Sequence, residues 1–178
     1  MAELLIVVAI IGVLVAIAIP IFNVQMEKAR EAVDLHVTRS AASAGQEFYY
    51  SGVVDKASAT AAGMGWYTDS NPQKSNAFAI YDPASGKFYP SWNDYMDAGG
   101  KAYGKGTTVV GSPGIKDVTG RLIYDPALDY TIGGCQVAIY PNGPQPHVEV
   151  AWKEVKYGSS GRKWIGGNDY PRYTIYLN

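Results

Sequence analysis

The chain has 178 residues, of which 47% are hydrophobic and only 17% are charged, and its formal net charge is −1. This length suits one domain with a sizeable core and is too short for two comfortable ones. The near-neutral charge gives no general attraction to nucleic acid or anionic lipid, so nucleic acid is not an expected partner. Cys135 is the only cysteine, which excludes an intrachain disulfide, and we expect it to be a small buried strand residue.

The chain opens with an unbroken apolar run over residues 4–19, with Glu3 before it and Pro20 after it. A helix of about twenty residues covers roughly 30 Å at about 1.5 Å per residue, which matches the hydrocarbon thickness of a bilayer. A secretory signal peptide needs a basic segment ahead of such a run, and here that segment is acidic. We predict a hydrophobic segment over residues 1–22 that crosses a membrane or packs in an assembly, and a globular head over residues 23–178.

Beyond Pro20 the helical pattern continues and becomes amphipathic. Apolar residues recur every three or four positions, which indicates one apolar stripe on a helix that ends near Ser51 and Gly52. A helix of that length would be roughly 75 Å long, far longer than a small domain needs, so it must protrude. The stripe predicts helix-to-head packing through Met26, Val33, Val37, Ala44 and Phe48.

The rest of the chain is rich in turn residues and favours strands. Alternating apolar residues between Gly- and Pro-containing turns predict two hairpins. The expected elements are a short helix at 56–62, strands at 76–81 and 87–89, strands at 135–140 and 147–153, and a terminal strand at 173–177. The stretch 91–120 is glycine-rich and receives no assignment. The expected fold class is α+β, with a long N-terminal α-helix packed on a C-terminal antiparallel β-sheet.

Patterns that would support an enzymatic reaction are weak. Residues 99–105 resemble the start of a phosphate-binding loop, but Gly106 stands where a hydroxyl side chain would hold magnesium. His36 and His147 have no partner at metal-ligand spacing, and we expect His36 on the outer surface of the helix. No nucleophile elbow and no paired carboxylates occur. We therefore expect a protein that is not an enzyme and needs no cofactor or metal.

Aromatic side chains offer a possible ligand surface. The sequence has 14 Tyr and 4 Trp, and such rings can stack on sugars or other flat ligands, although rings in strands more often belong to the core. Basic and aromatic residues alternate over 152–164, which could hold a single nucleic-acid strand or could be a solvated hairpin with its rings in the core. The candidate surface contacts are Trp66, Tyr67, Trp92 and Trp164.

Residues 3–22 resemble the N-terminal segment of type IV pilins and of the related pseudopilins. The shared pattern is a carboxylate, an apolar run with a central glycine, a proline near its end and an amphipathic continuation, here carried by Glu3, Gly12 and Pro20. The remaining chain resembles the family in layout alone. The resemblance implies a subunit that is anchored in the inner or cytoplasmic membrane and then extracted by a pilus assembly machinery into a helical homopolymer at the cell surface. The single cysteine favours a Gram-positive source, because members from outer-membrane bacteria often have a disulfide.

The resemblance also implies roles for individual residues. Glu3 would pair with the free amine of a neighbouring subunit's first residue in the filament core, whereas the alternative is a carboxylate resting at the membrane edge. A prepilin peptidase would cut four residues ahead of the glutamate, and the new N-terminus would be methylated. Only Met1 and Ala2 precede Glu3 here, two residues fewer than separate the cut from the glutamate in the family pattern. The assembly residues are Glu3, Leu4, Leu5, Val8 and Ile11.

Gly12 and Pro20 predict a local loss of helix in the assembled form. Glycine costs about 1 kcal/mol and proline about 3 kcal/mol against alanine in a helix interior. A bilayer would keep the segment helical, while neighbouring helices in a filament can accommodate an extended stretch between about residues 12 and 20.

Two classes of function remain at this point. The first is a structural filament subunit, and the alternative is a membrane-anchored, non-polymerising carbohydrate-binding adhesin. The sequence leaves open whether such a filament moves cells, adheres, takes up DNA or secretes.

Overall fold

The structure, a computed structural model, describes residues 2–106, 113–156 and 162–178. Its first element, helix α1, spans Ala2–Tyr50 and continues without a break past Pro20. Antiparallel strands follow it and form a sheet against which its second half packs. The predicted α+β class, with a long N-terminal helix packed on a C-terminal antiparallel sheet, is confirmed.

The end of α1 is set by a glycine in the left-handed region. Gly52 has φ of 104°, a conformation that side chains with a Cβ rarely adopt. Its N–H donates to the Tyr49 carbonyl at 2.9 Å, and the Val53 N–H donates to the Phe48 carbonyl at 3.1 Å. These bonds satisfy carbonyls that have no partner within the helix. The glycine-type stop predicted near Ser51 is confirmed.

The elements after α1 follow most of the predicted pattern. The helices are α2 (Lys56–Ala61) and α3 (Trp92–Asp97), and short 3₁₀ turns occur at Pro72–Lys74, Tyr130–Ile132 and Gly167–Asp169. The strands are β1 (Gly65–Tyr67), β2 (Asn76–Asp82), β3 (Lys87–Tyr89), β4 (Ile115–Lys116), β5 (Leu122–Tyr124), β6 (Gly133–Tyr140), β7 (His147–Glu154) and β8 (Arg172–Tyr176). The short helix, both hairpins and the terminal strand are therefore confirmed.

Other elements have no clear signal in the sequence. β1 and β5 have three residues each, which is too short for an alternating pattern to stand out. α3 and β4 lie in the stretch 91–120 that received no assignment, and residues 107–112 of that stretch lie outside the described residues. The predicted hairpin over 152–164 is described only in part, because residues 157–161 also lie outside them.

Six of the described strands form one antiparallel sheet with the order β1-β2-β6-β7-β8, and β3 pairs with β2. The pairing of β2 with β6 joins the two predicted hairpins side by side. The β6–β7 register places Val137 opposite Val150, and the neighbouring pair is Ala138 opposite Glu149. Because successive strand residues point to opposite faces, the first pair lies under α1 and the second lies on the outer face. This alternation separates a buried core from a second, outward-facing surface.

The core lies between α1 and the inner face of the sheet. Its centre consists of fully buried aliphatic side chains, and each contributes about 1.5–3 kcal/mol when it is removed from water. Those from the sheet are Val137, Ile139, Val148 and Val150. Tyr124 and Tyr130 stack at 4.5 Å beside them. Cys135 is buried in β6, as predicted, and burial raises the pKa of its thiol.

The predicted packing stripe of α1 needs a correction. Met26 and Val33 are each 42% exposed, so they lie outside the buried face of α1, whereas Val37 is buried and Ala44 and Phe48 are partly buried. The buried face is rotated by about a quarter turn from the prediction, because successive residues are about 100° apart. The residues that α1 buries are Asp34, Val37, Thr38, Ala41, Ala42 and Gly45. Three of these are polar or lack a side chain, so an apolar stripe could not reveal them.

Gly45 marks the closest approach of α1 to the sheet. A Cβ atom added there would lie 2.7 Å from the Cγ1 atoms of both Val137 and Val148. Glycine-to-alanine changes in a helix interior usually stabilise by about 1 kcal/mol, but overpacking usually destabilises by about 1–3 kcal/mol. We expect Gly45→Ala to lower the free energy of unfolding of the full chain in detergent, measured by chemical denaturation.

The control for this prediction is an exposed position of the same helix. Ser43 lies two residues before Gly45 and is exposed, so the difference between Ser43→Gly and Ser43→Ala measures helix propensity alone. Alanine should be the more stable residue at this position by about 1 kcal/mol. A Gly45→Ala variant more stable than wild type would contradict the close approach.

Candidate functional site

The first half of α1 is an apolar surface that no other part of the described chain covers. The helix is long and apolar enough to cross a membrane by length and composition, and its most apolar window has no buried residue. Leu4 and Leu5 are 72% and 70% exposed, and the side chains that follow are also exposed as far as Val24. Soluble monomers rarely expose apolar patches of this size. This half of the helix therefore needs lipid or protein around it.

The predicted assembly residues lie together at the free end of α1. Glu3 is in the first turn, and Leu4, Val8 and Ile11 are exposed and follow one another at spacings of four and three residues. Such spacing places the three side chains on one face of the helix, with Leu5 beside them. The end of α1 therefore combines one carboxylate with a continuous apolar face.

A buried carboxylate fastens the second half of α1 to the head. Asp34 is fully buried and accepts hydrogen bonds from the Lys105 N–H at 2.7 Å, the Gly106 N–H at 2.9 Å and the Tyr124 hydroxyl at 3.0 Å. Burial raises the pKa of Asp34, while these donors act in the opposite direction. The glycine-rich stretch that resembles a phosphate loop thus directs two amides at a carboxylate of its own chain.

A second polar contact lies one turn further along α1. The Thr38 hydroxyl donates to the Asp34 carbonyl at 2.9 Å and accepts from the Trp152 indole N–H at 3.0 Å. Trp152 is buried in β7. Directional bonds at both Asp34 and Thr38 fix the rotation of α1 about its axis relative to the head, which apolar contacts alone specify less sharply. The exposed His36 faces outward between them, as predicted.

The outer face of the sheet carries a cavity of about 450 Å³. Its floor includes Ala138 and Ala151, whose small side chains leave room above the sheet. This volume falls within the roughly 300–1,000 Å³ that is usual for small-molecule sites. Six rings surround the space, from Tyr67, Phe78, Trp92, Tyr140, Trp164 and Tyr170. We call this space the outer-face cavity.

Three of the four predicted ligand contacts meet in the outer-face cavity. Tyr67 comes from β1, Trp92 from α3, and Trp164 from the segment that bridges to Lys153 of β7. Trp66 does not reach it, because it packs against the core on the other face of the sheet. Adjacent strand residues point to opposite faces, so Trp66 and Tyr67 cannot both serve one surface.

The polar side chains of the outer-face cavity carry charges of both signs. Glu149 is buried. Its Oε1 atom lies 2.8 Å from a guanidinium nitrogen of Arg172 and 3.9 Å from one of Arg121, so it is paired with both arginines. Burial raises the pKa of Glu149, and Arg121 opposes that shift. The Lys153 ammonium lies 4.6 Å from the centre of the Trp164 ring, and burial lowers the pKa of Lys153. The lining is therefore polar at its floor without a strong net charge.

Metal chemistry has no cluster of ligands in the part of the chain that the structure describes. Within residues 2–106, 113–156 and 162–178, no group of three or more His, Cys, Asp or Glu side chains is placed to hold a metal ion.

Comparison of the chain with protein-family models, with characterised proteins and with solved structures finds no match. Function is therefore inferred from the geometry and chemistry of the chain itself.

Proposed function

We propose that this protein is a structural subunit of a type IV pilus filament, held in the membrane by the first half of α1 before assembly. The observation that supports this most is the unbroken passage of α1 from an exposed apolar surface into the core of the head. A surface of this kind is removed from water both in hydrocarbon and in a bundle of identical helices. One helix can therefore serve first as an anchor and then as the filament core.

The attachment of the head to α1 supports the same proposal. Asp34 bonds to the loop at Lys105 and to Tyr124 of β5, and Thr38 bonds to Trp152 of β7. Gly45 allows close contact with the sheet. A subunit that packs into a helical polymer needs its head in a fixed position relative to its core helix, since each subunit must repeat the same contacts. A simple tethered binding domain would have no such requirement.

The resemblance to type IV pilins supports a role for Glu3 in assembly. It also suggests the partners of the subunit, namely other copies of this chain, a prepilin peptidase and an assembly machinery, with the cell surface as the expected location. In the single chain α1 is helical through Gly12 and Pro20. Loss of helix between about residues 12 and 20 stays a prediction for the assembled form, in which a filament map at side-chain resolution would show it directly.

The proposal is tested by shearing surface filaments from cells that produce the chain and identifying their subunit by mass spectrometry. We expect thin filaments in electron micrographs, with this chain as a main component, and the spectrum also reports its N-terminus and any methyl group. The alternative, a membrane-anchored carbohydrate-binding adhesin that does not polymerise, predicts the chain in the membrane fraction alone. Filaments that lack the chain, from cells that produce it, would count against the proposal.

A further inference from the structure

We propose that the outer-face cavity binds a neutral saccharide of one or two pyranose rings, between the Tyr67 ring at its rim and the polar groups at its floor. This site is separate from the filament role, because the cavity lies on the face of the sheet opposite α1. Bundling of α1 helices does not by itself cover that face. Saccharide binding at the cavity therefore does not depend on polymerisation.

Sugar hydroxyls need both donors and acceptors in fixed positions, and the cavity floor supplies them. The Trp92 indole N–H donates to Gln136 Oε1 at 3.1 Å, which leaves the amide nitrogen of Gln136 as a donor. Asn76 is buried and its amide nitrogen donates to the Lys74 carbonyl at 3.2 Å, which leaves its oxygen as an acceptor. Side chains held in this way lose little freedom when a ligand binds.

Glu149 adds a charged acceptor to the same floor. It lines the cavity, its side chain is 9% exposed, and Arg172 holds it at 2.8 Å. Its Oε1 is buried against the arginines, which leaves the other carboxylate oxygen as the acceptor for a ligand hydroxyl. Hydrogen bonds to an ionised group are about twice as strong as neutral ones. Lys153, half-buried against Trp164, provides a donor on the same side of the cavity.

The rim provides the apolar half of the site. Tyr67 is 53% exposed although it lies in a strand, so its ring is available to a ligand in the cavity. The C–H faces of a pyranose ring pack on an aromatic ring, while its hydroxyls point outward to polar groups. A cavity with one ring at its rim and amide and carboxylate groups at its floor matches that division.

Other ligand classes fit these groups less well. A phosphate or a nucleic-acid strand would meet the Glu149 carboxylate at close range. An acyl chain offers no acceptor to the Gln136 amide nitrogen and no donor to the Asn76 side-chain oxygen, so both groups would lose water without gaining a hydrogen bond. A proline-rich peptide uses aromatic grooves, but it has few donors to satisfy acceptors at the floor. The polar floor therefore favours a ligand with many hydroxyl groups.

The test uses the full chain in a zwitterionic detergent without a sugar head group, because a glycoside detergent would compete for the site. Saturation-transfer NMR measures binding of neutral hexoses, N-acetylhexosamines and their disaccharides, with inorganic phosphate and a proline-rich peptide as further probes. We expect at least one neutral saccharide to bind. We expect Tyr67→Ala to weaken that binding at least about tenfold, a change of about 1.4 kcal/mol.

Two further variants keep the test decisive. Tyr176 is 55% exposed on β8 and does not line the cavity, so Tyr176→Ala should leave the affinity unchanged. Gln136→Ala removes a donor from the floor, and we expect it also to weaken binding, with thermal unfolding confirming that each variant is folded. The inference is overturned if no neutral saccharide binds, if the proline-rich peptide or phosphate binds instead, or if Tyr67→Ala and Gln136→Ala both bind as wild type does.

Discussion

Replacing Asp34 with alanine is expected to lower the free energy of unfolding by roughly 3–5 kcal/mol, because a buried donor without an acceptor costs about 1–3 kcal/mol. Among the described residues, the change leaves three donors without their acceptor, namely the Lys105 and Gly106 amides and the Tyr124 hydroxyl. Asp34 is fully buried, so solvent does not replace the carboxylate unless the structure opens. Chemical denaturation of the full chain in detergent, followed by the fluorescence of its tryptophans, measures the effect.

The same measurement on related variants separates the hydrogen bonds from general packing. Tyr124→Phe removes one donor and keeps the ring stacked on Tyr130, so we expect a loss of about 1 kcal/mol. The double variant Asp34→Ala/Tyr124→Phe should lose less free energy of unfolding than the two single variants lose together, because the two groups bond to each other. An Asp34→Ala protein within about 1 kcal/mol of wild type would show that the fastening is not made by this carboxylate.

Replacing Glu3 with alanine is expected to reduce surface filaments at least about tenfold while the chain still folds and inserts into the membrane. The buried core described above lies in the head, whereas Glu3 is exposed in the first turn of α1. In a filament of bundled helices, an unpaired carboxylate in hydrocarbon would cost a few kcal/mol in each subunit. In the proposed filament, pairing with a neighbour's terminal amine would remove that cost only at one axial register. Loss of the carboxylate would then remove the group that selects the register.

Electron microscopy of sheared filaments, with immunoblots of the sheared and membrane fractions, measures this effect. Glu47 is an exposed glutamate of the same helix on the head side, and Glu47→Ala provides the matched control with normal filaments. Glu3→Gln keeps the side-chain length without the charge, so it separates charge pairing from shape. Filaments of normal number and length in the Glu3→Ala strain would show that Glu3 does not set the register.

The local sequence pattern is sufficient to predict those parts of the structure that depend on residues close together in the chain. The apolar run over residues 4–19 predicts an uncovered hydrophobic helix half, because no polar face interrupts it. The hairpins of β2 with β3 and of β6 with β7 follow from alternation and from turn residues between the strands. The stop of α1 follows from Gly52, since glycine adopts the left-handed conformation there without strain.

The tertiary structure decides the rest, because the groups concerned meet only after distant segments come together. The local sequence around Asp34 shows no hydrogen-bond partner that would allow its carboxylate to be buried. Its donors lie 71, 72 and 90 residues further along the chain. Tyr67, Trp92 and Trp164 share one cavity only because β2 pairs with β6 and brings β1 and α3 to the same face. Burial of a carboxylate is unfavourable until its donors are in place, so its position is determined by the complete fold and not by its neighbours in the chain.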